Sequence, residues 1–405
     1  MFGRKVTLAA CAFLLAAGAS VPAMAEITPV NTGPAPETGI HMGSFMLYPT
    51  LSIGGQYNDN VFAQDTGAKS DVSLEVHPSA RLESTWSHAL IALKAEYDMT
   101  RYNKFSQEDT NDYLFGGEGK FDLGSDTQID ATSEYAGLSE LPGDTNILVN
   151  AAKPTFYQRW NSAADIKHIF NRLQLDLGGA FTTLSFHNTP AIGGGTIFSV
   201  DRNRDVSEEF FDVGYDYGRG TEFFVRGTLN QRDYELPVSK FRNSTGYEAV
   251  GGVRLQLTNL ISGQAYVGYM QQDYKTLTDI GGVDFGLQLD WAATRLTTVS
   301  AQVTRSIEET DEVGATGYFA TTASLGVKHD LSRSITLRAS AFYTNNEYHG
   351  VTRNEDIYGI TVGGDYHFMP QVALGVDFTH TSRSSNVVGA NYDQNLVEAQ
   401  LKLAL

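Results

Sequence analysis

The sequence predicts an all-β chain: a single transmembrane antiparallel up-and-down β-barrel of about 18 strands, with short turns at one end and longer loops at the other. Three observations carry this. Apolar and polar residues alternate through long runs, and strict period-two alternation places one side-chain set on each face of a strand. The connections between runs alternate in length, short then long, which is the signature of outer-membrane barrels with short periplasmic turns and longer extracellular loops. After the first 25 residues, no stretch approaches the roughly 18 consecutive apolar residues that a membrane helix needs.

The chain opens with a segment read as a cleaved signal peptide, residues 1–25. Arg4 and Lys5 form a positive start, Val6 to Ala19 is mostly apolar, and Ala23-Met24-Ala25 is a small-residue cleavage site. Leu8-Ala9-Ala10-Cys11 resembles a lipobox, but most of the apolar run follows Cys11 instead of preceding it. Residues 26–44, rich in Pro, Thr and Gly, read as a flexible periplasmic tail, and residues 45–405 as the barrel.

The first hairpin spans Leu47 to Trp86. Leu47, Leu51, Ile53, Gly55 and Tyr57 line one face of its first strand. In the second, Val72, Leu74, Val76, Ala80 and Leu82 oppose Ser73, Glu75, His77, Ser79, Arg81 and Glu83. The same alternation recurs at Ala89 to Thr100, Leu173 to Phe181, Val283 to Trp291, Ile335 to Tyr343 and Val397 to Leu405. Eight short connections fall near residues 86–88, 123–126, 168–171, 217–221, 258–260, 291–294, 330–332 and 369–370. Nine longer ones fall near 58–70, 103–111, 139–153, 187–204, 235–245, 273–281, 308–316, 346–355 and 384–391. Eighteen strands follow, with both chain ends on the short-turn side. Sixteen is the alternative, because 152–166 and 205–217 alternate poorly. Trp86 and Trp291 sit at expected short turns, where an amphipathic ring suits the membrane interface. The last residue is Leu405, where most barrels end in an aromatic that assists assembly.

The segment Tyr57-Asn58-Asp59-Asn60-Val61-Phe62, the Ser-Asp before the second strand, the Pro within it and the closing Arg81 to Trp86 resemble the outer-membrane β-barrel porin type 2 family (beta-barrel porin-2). Phe170 to Phe181 fits the same family's midsection. The resemblance implies an outer-membrane channel, in some members associated with exopolysaccharide export. It implies no role for the Tyr57 to Phe62 motif.

Composition narrows the function classes. Arg4 and Lys5 leave with the signal segment, which holds no acid, so the formal charge goes from −18 to −20. That excludes nucleic acid as an expected partner. The single cysteine lies in the same segment, so the remaining chain has no thiol nucleophile and no cysteine zinc site. The nine histidines show no metal-ligand spacing and read as isolated, solvated groups. Ser87-His88 belongs to a turn and cannot form a catalytic pair on one strand face. Gly193-Gly194-Gly195 lacks the lysine and helix of a phosphate loop. No enzyme activity, cofactor or metal is expected. Asp59, Asn60, Asp65 and Asp71 are oxygen donors that could meet calcium, and equally are turn formers and strand caps.

Alternation assigns Glu75, Arg81, Glu83, Lys94, Glu96, Asp98, Glu118, Lys120, Asp122, Arg226, Arg232, Glu248, Arg254, Asp284, Asp290, Lys328 and Arg338 to the lumen face, since a charge facing hydrocarbon at the midplane costs a few kcal/mol. Mixed signs suggest ion pairs across strands or across the lumen. Two functions remain open at this stage. One is a channel in the outer membrane of a Gram-negative bacterium, passing small solutes or exported exopolysaccharide. The other is a plugged structural or binding barrel that contacts surface polysaccharide and divalent cations. The expected partners are outer-membrane lipid and lipopolysaccharide, the barrel insertion machinery and, where the chain serves export, polysaccharide export components.

Overall fold

A computed structural model of the protein describes residues 39–145, 151–258 and 260–405. The expected signal segment and residues 26–38 of the expected tail lie outside the described residues. Ile40–Met42 pairs with Phe45–Leu47 as a short hairpin, so the last part of the expected tail is ordered against the wall. Gly43 makes its turn at φ 67°, a left-handed conformation that favours glycine.

Eighteen long strands follow: β1 Phe45–Asn58, β2 Asp71–Ser84, β3 Ala89–Tyr102, β4 Thr110–Asp122, β5 Thr127–Glu140, β6 Thr155–Phe170, β7 Leu173–Phe186, β8 Arg204–Gly218, β9 Thr221–Tyr234, β10 Ser244–Thr258, β11 Ile261–Tyr274, β12 Ile280–Thr294, β13 Thr297–Glu308, β14 Gly317–Ser332, β15 Ile335–His349, β16 Asn354–Met369, β17 Val372–Ser385 and β18 Tyr392–Ala404. Each pairs antiparallel with its sequence neighbours, and β1 pairs with β18 over Thr50–Asn58, which closes the barrel. Closure removes the two edges that an open sheet would present. The poorly patterned stretches become β6 and β8, so the count is eighteen and not sixteen.

The register fixes the faces. Ser73, Glu75 and Asp71 are buried on one side of β2, while Val72 and Leu74 are exposed on the other. Followed pair by pair around the closed sheet, the exposed apolar side chains, among them Leu93, Phe115, Leu177, Phe223, Val267 and Val362, stay on the outer face. Inside, buried apolar side chains form only small clusters near the long loops, among them Met270, Tyr274, Ile280 and Ile307. Burial of the outer face comes from lipid, and most of the inner face is held by hydrogen bonds and ion pairs.

Strand length explains where β8 loses its pattern. Its 15 residues rise about 3.3 Å each and tilt about 40°, so it spans close to ~38 Å, against an apolar band of about 25 Å. Its outer face can thus carry Asp205, Ser207 and Glu209 at the long-loop end before Phe211, Val213 and Tyr215 meet lipid. Gln271 and Asp273 of β11 repeat this arrangement.

The eight short turns lie within a few residues of their expected places. β6 runs on to Phe170, β12 to Thr294 and β14 to Ser332, so three turns sit later than expected. Trp291 is consequently on the outer face of β12, three residues before the turn, while Trp86 is in its turn and stacks edge-on against Phe45 at 5.7 Å. Gly220 could not be replaced, since it has φ 73° and a Cβ would lie 2.0 Å from the Gln256 carbonyl oxygen.

Candidate functional site

All seventeen charged residues assigned to the lumen by alternation fall on the inner face by register. Several of them form local ion-pair groups with inner-face residues that alternation did not single out. Arg81 bonds Glu83 and Glu118, each at 3.0 Å. Lys94 reaches Glu134 of β5 at 3.0 Å, and Arg159 of β6 meets the same carboxylate at 2.9 Å. Arg226 and Arg254 converge on Asp212 of β8, with Glu222 also on Arg254 at 2.5 Å. Arg338 bridges Asp365 and Asp377, and Lys402 of β18 shares Asp365 at 2.9 Å. Glu75 and Asp98 flank His77, with Nδ1 bonded to Asp98 and Nε2 3.8 Å from Glu75. His77 is thus a wall group between two carboxylates, which corrects the expectation of an isolated solvated histidine.

Other residues of the expected set make fewer contacts. Asp290 accepts a long bond from Gln288 at 3.5 Å. Glu96, Lys120, Asp122 and Lys328 are placed by register alone.

Water access varies along the inner wall, and Asp365, near a short turn, keeps only 1% of its exposure. The side chains of Arg81, Lys94 and Glu118, toward the short turns, keep 39%, 36% and 39% of their exposure. At the long-loop end Arg204 keeps 4%, Glu309 7% and Glu140 3%.

The cause is the connection between β13 and β14. The β12–β13 ladder stops at Gly286–Thr304, although β12 continues to Ile280 and β13 to Glu308. The freed end of β13 leans inward. Ile307 packs against Met270, Tyr274 and Ile280, and its carbonyl accepts a bond from Arg232 of β9 at 3.1 Å. Residues 309–316 then lie in the mouth, with their carboxylates on arginines from several parts of the rim. Glu309 meets Arg204 at 2.6 Å and accepts the Tyr234 hydroxyl at 2.8 Å. Asp311 meets Arg202 at 2.7 Å and Arg242 at 3.0 Å. Glu312 pairs with Arg353, which also holds Glu355 at 2.6 Å. Arg202 in turn grips Glu140 at the end of β5 through two bonds, 2.9 and 2.5 Å.

Aromatic rings support these arginines. Tyr157, Phe186, Tyr234, Tyr274, Tyr318, Tyr348 and Tyr392 all lie on the inner face at or next to the long-loop end of their strands. Arg202 lies 4.0 Å from the Phe186 ring centre, Arg353 4.6 Å from Tyr348 and Arg383 5.0 Å from Tyr392; Arg204 and Arg242 are each 5.7 Å from Tyr234. A cation over a ring face gains about 0.5–2 kcal/mol. Sequence reading missed this collar because it sought charges on the lumen face. The available signal was an aromatic at lumen parity beside a long loop.

Charge states in the loops follow from the packing. Burial alone would lower the Arg202 pKa, but Asp311 and Glu140 more than reverse this and hold it above its ordinary value. Burial disfavours the Glu309 charge, yet Arg204 and Arg232 keep its carboxyl below the usual range. Asp144, in the β5–β6 loop, has no comparable counter-charge. Burial, with Glu140 nearby, pushes it up to about 7 against the Leu141 amide, Arg383 and Arg202. Burial likewise pushes Glu108 up to about 7.

The Tyr57 to Phe62 motif is a clasp on the closing seam. Asp59 accepts the backbone and side-chain amides of Asn395, both at 2.7 Å. Asn60 donates to the Gln64 and Asp393 carbonyls at 2.9 Å and accepts the Gln64 amide at 3.0 Å. Asn58 caps the Asn60 amide at 2.8 Å, and Gln394 donates to the Asn60 carbonyl at 2.8 Å. Val61 is buried, Phe62 stacks edge-on with Phe105 at 5.0 Å, and Tyr57 faces outward. Of the four oxygen donors weighed for calcium, Asp59, Asn60 and Asp71 are engaged by amide donors, Asp71 by Val72, Lys104 and Phe105. Asp65 is exposed in the loop. Among the described residues, no group of three or more His, Cys, Asp or Glu is arranged to hold a metal.

Similar solved structures include a ferric enterobactin receptor from Pseudomonas aeruginosa, with 8% identity, a TM-score of 0.47, and coverage of 89% of this chain and 80% of that one. The siderophore receptor PirA from Acinetobacter baumannii gives 9%, 0.49, 88% and 80%, and the alcaligin outer membrane receptor FauA from Bordetella pertussis 11%, 0.43, 91% and 77%. At such identities and scores nothing of the site is carried over. No curated protein matches the sequence. The family model described as "Putative beta-barrel porin 2" matches residues 34–405, all eighteen strands and the seam clasp included, and the chain belongs to that family of outer-membrane β-barrels.

Proposed function

We propose that the chain is a non-enzymatic channel with its short turns in the periplasm, passing small solutes or exported exopolysaccharide through a lumen narrowed at its outer mouth. The observation that carries this is the contrast in access along the inner wall. Arg81 and Glu118, near the short turns, are wetted, whereas Arg204 and Glu309, at the long-loop end, are buried at the inward-leaning β13–β14 connection. Barrels of 16–18 strands leave an aqueous channel unless loops fill it, and inward loops set its width. No residue is assigned a catalytic role.

The buried mouth also favours a second reading, a plugged binding barrel whose rim contacts surface polysaccharide. Planar-bilayer recording with the purified full chain separates the two. Discrete conductance steps support the channel, and silence at every voltage supports the plugged barrel.

A further inference from the structure

We propose that the outer half of β13 has two positions, the inward curl of this structure and a second in which it zips onto β12, and that the change between them opens the mouth. This rests on the channel reading, and the position of β13 can be measured without conduction.

The wall is not closed edge to edge at this corner. β12 and β13 pair only as far as Gly286–Thr304. Above that level Ile280–Phe285 stay paired with Val267–Gln272 on their far side, and Arg305–Glu308 with Tyr318–Thr321 on theirs. Each segment therefore keeps strand geometry while the two facing edges have no ladder between them. An edge without a ladder is a template for pairing with another strand.

Side-chain parity shows how the two segments lie. Ile307 and its β14 neighbour Phe319 have outer-face parity, whereas Met270, Tyr274, Ile280 and Gly282 have inner-face parity. Yet Ile307 packs with Met270, Tyr274 and Ile280, and Phe319 packs against the same cluster. A Cβ on Gly282 would lie 2.9 Å from the Phe319 ring. The outer face of the β13–β14 hairpin thus covers the inner face of β11 and β12, and the wall overlaps here like the edges of a scroll.

Overlap and pairing exclude each other, because the same stretch of β13 makes both. Continuing the register beyond Gly286–Thr304 sets Val283 opposite Ile307 and Gly282 opposite Glu308. That ladder would add backbone hydrogen bonds along β12. It would give up the Ile307 packing, the Arg232 bond to the Ile307 carbonyl and the ion pairs of the loop with the rim. Arg305 keeps its partners either way, since it bonds Thr321 of β14 at 2.6 Å and Glu347 of β15 at 3.0 Å. Two packings of one segment with competing contact sets make a bistable element. Residues 309–316 continue β13 and must follow it. Zipping draws Glu309 away from Arg204 and Asp311 away from Arg202, and so clears the mouth.

The face of β12 that meets Ile307 reports the position. In the curl it is the inner face, which carries Ile280; when zipped, Ile307 stands beside Val283 on the outer face. The test uses the full chain in bilayers, with its only cysteine, Cys11, changed to serine. One variant carries V283C/I307C and the other I280C/I307C. A disulfide needs its two Cα atoms within about 7 Å, so V283C/I307C can close only when β13 is zipped. The proposal expects that variant to oxidise, with the bond found by peptide mapping, and its conductance steps to grow about twofold over its own reduced form. A short bifunctional thiosulfonate should link I280C/I307C and hold the smaller steps. Failure of V283C/I307C to oxidise where I280C/I307C links would fix β13 in its curl and overturn the proposal. A disulfide that leaves the steps unchanged would overturn it too. If the cysteine variants do not fold, Gly282→Leu takes the space where Phe319 rests in the overlap and faces the lumen once β13 is zipped. It should raise the time spent at the larger conductance about threefold, and unchanged occupancy overturns the proposal. If V283C/I307C closes but every chain is silent, the channel reading falls and the two positions of β13 stand.

Discussion

Replacing Asn60 by alanine should loosen the seam on which closure of the barrel depends. The side chain is buried at 2% exposure and makes three hydrogen bonds, two within its own loop and one to the Asp393 carbonyl of β18. Three net bonds at about 1 kcal/mol each, less the part that water restores at exposed Gln64, plus a part-buried carbonyl left without its donor, predict a loss of about 2–4 kcal/mol. The assay is urea unfolding of the full chain refolded into lipid vesicles, with Thr66→Ala in the exposed part of the same loop as control, expected within about 0.5 kcal/mol of the unaltered chain. Asn60→Asp sharpens the test. It keeps the shape but turns a donor that faces two carbonyls into an acceptor, so the clasp account expects a loss at least as large and no recovery with calcium. A calcium site would behave oppositely, because the added carboxylate would strengthen it. A loss below 0.5 kcal/mol for Asn60→Ala, or calcium rescue of Asn60→Asp, refutes the clasp.

Arg202→Ala strips Glu140, at 3% exposure, of its two-bonded counter-ion and should cost about 3–5 kcal/mol in the same assay. Asp144 sets a pH dependence. Its folded pKa of about 7 lies above its ordinary 3.8, so the unfolded chain ionises first and this group's contribution falls as pH rises from 4 to 7. Limited proteolysis of the β5–β6 loop should be slower at pH 5 than at pH 8, and Asp144→Asn should narrow that difference; an unchanged ratio would contradict the assignment. In a salt gradient, the unaltered pore should prefer cations, because carboxylates outnumber bases on the chain and a low-dielectric wall focuses their field. The preference should shrink as the screening length falls from about 10 Å at 0.1 M to about 3 Å at 1 M, and anion preference would mean that rim arginines govern the pore. Single cysteines at Ser87 or Gly124 should resist labelling from outside intact cells while one at Gly194 reacts, and equal labelling would reverse the orientation.

The barrel was legible because lipid and water on opposite faces impose a two-residue period that sequence cannot hide. Val72 against Ser73 and Leu74 against Glu75 are enough to read β2. Legibility failed where that contrast is absent. Glu209 of β8 faces outward beyond the apolar band, and Gln158 and Ser162 interrupt the outer face of β6. Arg81, Arg226 and Arg338 could be placed on the lumen face, but their partners Glu118, Asp212 and Asp365 depend on register between strands, which alternation does not fix. The mouth was least visible. Glu309, Asp311 and Glu312 fall in one of the longer connections, near 308–316, and nothing local shows that the β12–β13 ladder ends early and turns them onto Arg204, Arg202 and Arg353. The Tyr57 to Phe62 motif was recognised as a signature, but its function depends on Asn395 and Asp393 at the far end of the chain.

The central claim is that the chain conducts and that residues 309–316 limit the path. Single-channel recording of the unaltered chain beside a variant with Thr310–Ala315 replaced by two glycines tests it most directly. The account predicts discrete steps in both, larger in the shortened variant, with less cation preference as the loop carboxylates Asp311 and Glu312 are removed. Steps of equal size would show that the loop does not limit the path, and silence in both would contradict the channel itself.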